Sequence, residues 1–225
     1  MADPFVHVYA DHALVAHKLT ILRDRRTQPA MFSHTLREIS LLLLAFATAD
    51  LPTREVTTVT PVGSARQRVL ARRVGFAPIL RAGVGMIPAA QELLPGAPIW
   101  YLGLYRDEDT LKPVPYYDKL QGYPPIDIGL ILDPMLATGG SAILAADRLK
   151  VKGVEKVSFV GLIAAPEGIA ALRREHPDVE IYVAAIDERL NERGYIVPGL
   201  GDAGDRQHAT GTNDSADSPY VEERP

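Results

Sequence analysis

Five apolar runs constrain this chain more than any other feature. FAPIL runs into Arg81, APIWYLGLY into Arg106, and IDIGLIL into Asp133; VEKVSFVGLIAA stops before Pro166, and VEIYVAAI ends at Asp187. Each is near-continuous rather than alternating, the pattern of strands buried on both faces in a parallel sheet. Helical patterns separate them. Ser141 to Lys150 puts Ala142, Ala145, Ala146 and Leu149 on one face, Glu167 to Glu175 forms a second helix, and Gly153 is a natural stop for the first. This spacing predicts the α/β class, with an open, mostly parallel sheet flanked by helices.

Two N-terminal helices are expected ahead of the sheet. From Thr27 to Ala49, Phe32, Leu36, Ile39, Leu43 and Phe46 recur at helical steps, with Thr27 as N-cap and Pro29 in the first turn. Asp11 to Asp24 is the shorter one, with Val15, Leu19 and Leu22 in line. REVTTVTPVG reads as an extended segment broken by Pro61 and Gly63. At 225 residues the chain suits one substantial domain, expected over 1–208, with a flexible polar tail over 209–225.

Composition excludes several chemistries. There are no cysteines, hence no thiolate nucleophile and no Cys-type zinc site. A net charge of -4 gives no global attraction to nucleic acid or to an anionic membrane. The run ISLLLLAFATA is too short to span a bilayer, so a soluble, cytoplasmic protein is expected. The six histidines do not pair on one helical face as metal ligands.

Ligands of open α/β sheets bind beyond the carboxyl ends of the strands, so Arg81, Arg106 and Asp133 mark the expected site. The segment DPMLATGGS, Asp133 to Ser141, combines a strand-end carboxylate with two glycines and a helix start near Gly140. Unpaired amides at that start, Thr138 and Ser141 hydroxyls, and backbone left bare by Gly139 and Gly140 make an anion cradle. Asp133 would repel a phosphate in contact but suits sugar hydroxyls nearby. No lysine follows the glycines as a nucleotide-hydrolysing loop requires, and G-x-G-x-x-G is absent around them. Taken alone, the turn is equally a plain strand-to-helix connection.

The segment ILRAGVGM offers a second anion grip, a guanidinium at Arg81 beside accessible amides. LYRDEDTLKPVPYYDKLQG has the composition of a lid or binding loop, about 105–122. ERLNERGYIVPGLGDAGDRQHAT follows the last strand with four glycines and is suited to wrap a flat polar ring, or is simply a C-terminal loop.

These stretches together resemble the uracil phosphoribosyltransferases of the type I phosphoribosyltransferase family, from about His12 to about Asp205. PILRAGVGM, DPMLATGGS, AAPEGIAAL and GYIVPGLGDAGD carry the resemblance, the last being the most specific. It implies a small C-terminal hood over about 188–206 that binds the base. It also implies transfer of uracil onto 5-phospho-α-D-ribose 1-diphosphate (PRPP), giving UMP and diphosphate in pyrimidine salvage. By the same resemblance Asp133, Pro134, Met135, Leu136, Ala137, Thr138, Gly139, Gly140 and Ser141 would bind PRPP, with Arg81, Arg106 and Asp202. Ile196, Gly201, Asp202 and Ala203 would read uracil, and Arg81, Arg106, Asp133 and Asp202 form the catalytic set. Most type I members have two adjacent acids before the Thr-Gly; here Pro134 follows Asp133, as in the uracil enzymes, so Mg²⁺ would be held mainly by PRPP and no metal ligand is assigned. The family's members are dimers or larger and some are activated by GTP, so a homo-oligomer (dimer or tetramer) and a GTP effector are further expectations. The alternative is a non-catalytic or RNA-binding pyrimidine regulator of the same fold; the acidic balance gives RNA binding no support.

Overall fold

The computed structural model describes residues 3–106, 113–118 and 125–210. In chain order its elements are β1 (Val6–Val8), α1 (Ala13–Arg23), α2 (Pro29–Ala47), β2 (Thr53–Val59), β3 (Ser64–Leu70) and β4 (Val74–Leu80). A 3-10 turn (Ala82–Met86) then leads to α3 (Ile87–Leu93), β5 (Leu102–Arg106), β6 (Pro113–Asp118), β7 (Ile128–Leu132) and β8 (Met135–Leu136). The remainder is α4 (Gly140–Val151), β9 (Lys156–Ala164), α5 (Pro166–Glu175), β10 (Glu180–Ile186), β11 (Arg189–Leu190), β12 (Ile196–Val197) and α6 (Ala203–His208).

The main sheet runs β1-β10-β9-β7-β4-β5-β6, with β8 added along β9. Every pairing in it is parallel except β5 with β6. Strand β7 is buried at all five positions, and β4 at all but its last residue. Alternation sorts their side chains between two helical layers. Phe76, Leu130, Leu132 and Val160 meet the stripe of α1, α2 and α3, while Ala77, Ile131, Phe159 and Val183 meet Ala142, Ala145, Ala146 and Leu149 of α4. Helices on both faces of a mostly parallel sheet confirm the expected class.

The helix boundaries depart from the sequence reading in instructive ways. Helix α2 begins at Pro29 with Gln28 as its cap residue, not with Thr27. The Thr27 hydroxyl instead donates to the Ile21 carbonyl at 2.6 Å, closing the turn that reverses α1 into α2. A tertiary acceptor has outcompeted the local cap. Helix α1 is capped by His12, whose ring accepts from the Val15 amide at 3.4 Å. Taken whole, α2 is long and apolar enough to cross a membrane by length and composition, which the shorter run ISLLLLAFATA concealed. Its stripe of Phe32, Leu36, Ile39, Leu43 and Leu44 is spent in the protein core.

REVTTVTPVG supplies β2 and the turn Thr60–Gly63, but its partner β3 escaped the sequence reading. SARQRVL is almost wholly exposed, so neither alternation nor an apolar run marks it. The predicted lid is described only at its start, where β5 ends, and in its middle, where β6 pairs with β5; the Arg106 side chain, 107–112, 119–124 and the tail 211–225 lie outside the described residues.

Leu43 is fully buried among the helices above the sheet. Leu43→Ala should destabilise the protein by about 2–5 kcal/mol, the range for an emptied core leucine. Urea unfolding would show this as a lower midpoint at unchanged slope.

Candidate active site

Strands β4 and β7 pair directly and in parallel, with Ala77 opposite Ile131 and Pro78 opposite Leu132. Their carboxyl ends therefore leave the sheet side by side, one into Arg81 and the other into Asp133. Gly83 lets the Arg81 turn fold back over the end of β7: a Cβ there would lie 2.3 Å from the Leu132 carbonyl oxygen.

Beyond Asp133 the chain stays extended. The Pro134 carbonyl accepts from the Leu162 and Ile163 amides at 2.9 and 3.1 Å, and β8 continues along β9. Gly139 then turns the chain into α4 with φ of +83°, a conformation that disfavours any side chain. Helix α5 closes the back of this turn. A Cβ on Gly168 would lie 2.3 Å from the Ala137 oxygen, which explains the glycine in AAPEGIAAL. The result is a concavity of about 140 Å³ lined between Asp133 and Ala142. It opens on the first amides of α4, the anion-accepting end of a helix. A wider hollow of about 410 Å³ lies over the turn Arg189–Arg193, but one loop lines it and none of the cradle reaches it.

The hood is more ordered than a plain loop. Strands β11 and β12 form a short antiparallel pair, and α6 begins at Asp202, whose carboxylate caps it by accepting from the Asp205 amide at 2.9 Å. The Gln207 side chain donates to the Ala82 carbonyl at 2.9 Å, and the Ser33 hydroxyl donates to the Gln207 carbonyl at 3.0 Å. These bonds tie the hood to the Arg81 turn on one side and to α2 on the other. Ile196 and Ala203 are buried, whereas Gly201 is exposed.

Electrostatics joins the parts. The Asp133 carboxyl is pushed up to about 7, first by the protein crowded around it and then by the negative charge of Asp202, against a lowering hydrogen bond from the Met135 amide. Asp133 and Asp202, far apart in the chain, thus lie near enough for their charges to interact. The Arg81 guanidinium is 60% exposed and reaches Asp205 Oδ1 at 3.1 Å. That oxygen also accepts from the Thr210 hydroxyl at 2.7 Å.

So the structure brings Arg81, the segment Asp133–Ser141 and the start of α6, with Asp202 and Asp205, to the carboxyl ends of neighbouring central strands, while Ile196, Gly201 and Ala203 lie in the same hood as Asp202. Of Arg106 it places the backbone, at the end of β5 beside β4. Sequence reasoning missed Asp205 as the partner of Arg81, and Gly83 and Gly168 as packing glycines. Asp205 carried a weak signal, since it stood among the glycines of the last motif.

An open α/β sheet that brings an amide turn, a carboxylate and an arginine to adjacent strand ends defines a protein of the class that binds phosphorylated ligands beyond the carboxyl ends of its strands. The family model described as uracil phosphoribosyltransferase matches residues 8–210. Among curated proteins, the chain is 55% identical over 202 residues to "Uracil phosphoribosyltransferase" of Roseiflexus sp. (strain RS-1), covering 90% of this chain and 97% of that one. It is 54% identical over 208 residues to the protein of the same name from Dictyoglomus turgidum, covering 90% and 99%. Among solved structures, that of the AQ2163 protein from Aquifex aeolicus superposes with a TM-score of 0.86 at 38% identity, covering 92% of this chain and 100% of that one. The chain belongs to the uracil phosphoribosyltransferase family.

The raised Asp133 group has a thermodynamic signature. Between its ordinary value near 3.8 and about 7 the native protein keeps a proton that the unfolded chain has released. Stability owed to this group therefore falls as pH rises through that window. Asp133→Asn, which carries no charge to bury, should raise the melting temperature of the free protein at pH 8 relative to the original chain. That gain should shrink at pH 5; a gain independent of pH would contradict it.

Proposed function

We propose that the chain transfers the phosphoribosyl group of PRPP to uracil, releasing UMP and diphosphate. The observation that supports this is the adjacency of the α4 amide turn and Arg81 at neighbouring strand ends, joined through the Arg81–Asp205 pair to the hood that carries GYIVPGLGDAGD. One activated sugar with a phosphate at one end and a pyrophosphate at the other fits that pair.

In this reading the 5-phosphate sits at Thr138–Ser141, where the first amides of α4 and two hydroxyls donate to it. Asp133 accepts from the ribose hydroxyls, a contact that favours its ionised form and offsets its burial. Arg81, with Arg106 beside it on β5, holds the pyrophosphate. For this Arg81 exchanges Asp205 for a group of greater charge, a swap that its exposure makes easy. Ile196 and Gly201–Ala203 read uracil through backbone groups, which suits a small ring with alternating donors and acceptors.

As the bond from C1 of the ribose to pyrophosphate lengthens, positive charge grows on the sugar and negative charge on the leaving group, as in glycosyl transfer generally. Preorganised cations at the leaving group lower that barrier, and the fixed hood holds uracil N1 in line on the opposite face. No covalent intermediate is called for.

Mg²⁺ enters here as the counter-ion of PRPP, part of the substrate. Among the described residues no group of three or more His, Asp or Glu side chains could hold a metal by itself. Phosphate oxygens and water would supply most of its ligands, as a hard cation that prefers oxygen donors allows.

A homo-oligomer is also part of the proposal. The hairpin of β2 and β3 exposes Val59 and Val62 at 83% and 97%, and a two-stranded ribbon lacking a packed face gains stability from a partner. A cytoplasmic location, expected from the sequence, and activation by GTP, implied by the family resemblance, are further parts of the proposal; GTP added to the assay tests the latter.

The assay is direct: uracil, PRPP and Mg²⁺ with detection of UMP, alongside adenine, hypoxanthine, cytosine and orotate. UMP from uracil alone is the expected result, and cytosine should fail because its donor and acceptor pattern mismatches the fixed backbone. Comparable rates on cytosine would refute the base assignment. Arg81→Ala should lower kcat/KM by about 2–3 kcal/mol or more, the scale of a charge-assisted contact realised in the transition state. Near-normal kinetics would remove Arg81 from the mechanism.

A further inference from the structure

We infer that Arg23 and Asp187 are positioning residues for the base: together they grip the backbone of Gly199 and so set the geometry of the loop that reads uracil. The inference rests on the assignment of Ile196 and Gly201–Ala203 to uracil.

Asp187 directly follows β10, and its side chain is only 3% exposed. A carboxylate so enclosed must be paired and hydrogen-bonded. Its partner is Arg23, the last residue of α1. One guanidinium nitrogen, Nη1, donates to Oδ2 at 2.8 Å, and the other, Nη2, donates to Oδ1. Each member of the pair then makes one further bond, and both go to the same residue. Arg23 Nη1 donates to the Gly199 carbonyl at 2.7 Å, while the Gly199 amide donates to Asp187 Oδ2 at 2.8 Å. The fork thus holds both polar groups of one backbone position.

That position is the pivot of the base loop. Gly199 has φ of +65°, and a Cβ on it would lie 2.2 Å from the Ile196 carbonyl oxygen. Ile196 is therefore packed against Gly199 from one side, and Gly201 follows two residues along on the other. Fixing Gly199 fixes the two ends of the reading segment relative to each other. Backbone groups cannot correct a misplaced loop by changing rotamer, so such a site depends on its supporting contacts.

The hood does not hang on this pair alone. Arg206 donates to the Leu200 carbonyl at 2.8 Å, to the Asp24 carbonyl at 2.6 Å and to the Leu22 carbonyl, and its guanidinium lies 4.4 Å over the Phe32 ring. The hood thus stays anchored to α1 and α2 when Arg23 is altered. The effect of Arg23 is local, on the loop, and neither Arg23 nor Asp187 touches the PRPP grips described above.

Steady-state kinetics on the full chain separate this role from a merely structural one. The substitution Arg23→Lys keeps a positive charge opposite Asp187, but a single ammonium cannot span the carboxylate and the Gly199 carbonyl as the planar fork does. In that variant, KM for uracil should rise about tenfold, the equivalent of one lost charge-assisted contact. KM for PRPP should change by less than about twofold, because its grips are untouched. Preference for uracil over cytosine should fall as well. In Arg23→Ala, guanidinium ions at sub-denaturing concentration should refill the slot and lower KM for uracil again. If the two KM values move together, if only kcat and the melting temperature drop, or if the kinetics are unchanged, the positioning role is overturned. The original chain run in parallel distinguishes the failures. An enzyme that makes no UMP from uracil overturns the base assignment and this inference with it, whereas an active one with an indifferent Arg23→Lys overturns only the inference.

Discussion

The parallel pairing of β4 with β7 is the constraint on which the rest of this structure depends. Because Ala77 lies opposite Ile131 and Pro78 opposite Leu132, the chain emerges twice at the same end of the sheet, within one strand spacing. Two turns from distant parts of the sequence become neighbours without any contact between their side chains having to arrange it. Gly83 then presses one turn over the end of the other strand, and Gly168 backs the Leu136–Ala137 carbonyls from α5. The placement of the two turns is thus set by backbone register and by missing Cβ atoms.

In the proposed reading the hood solves a different problem. A pyrimidine offers little surface and few groups, so its recognition needs a rigid frame more than a large pocket. Two arginines supply that frame around the end of α1: Arg23 holds Gly199 together with Asp187, and Arg206 holds Leu200 against Leu22 and Asp24. At the front, the ion pair of Arg81 with Asp205 links hood to strand tip across an exposed gap. Exposed pairs contribute little stability. That makes this one an exchangeable contact, unlike the enclosed pair at Asp187.

Much of this was legible in the sequence because burial on both faces leaves a mark. The uninterrupted runs ending at Arg81, Asp133 and Asp187 revealed strands and their polar ends, and the alanines of α4 revealed its inward face. Short-range chemistry at Gly139 and Gly153 was equally readable, since both require positive φ. What could not be read was decided by tertiary partners. Thr27 has the residue type of a cap, yet Ile21 claims its hydroxyl. Strand β3 is exposed and charged, so its only signal is the partner β2. Arg23 and Asp187 are separated by 164 positions, and neither carries a local mark of the other. The motif around Gly201 drew attention to this segment, but the short α6 and the pairing of Asp205 with Arg81 emerged only from the fold.

The central claim is that both phosphorylated ends of one sugar are held at neighbouring strand tips. A crystal structure of the protein with Mg²⁺ and intact PRPP, or a non-reacting analogue, tests it most directly. The account predicts the 5-phosphate against the amides of Thr138–Ser141, the pyrophosphate on the Arg81 guanidinium, and Asp205 released from that guanidinium. Density showing either end bound elsewhere, or Arg81 still paired with Asp205 while PRPP is in place, would contradict it.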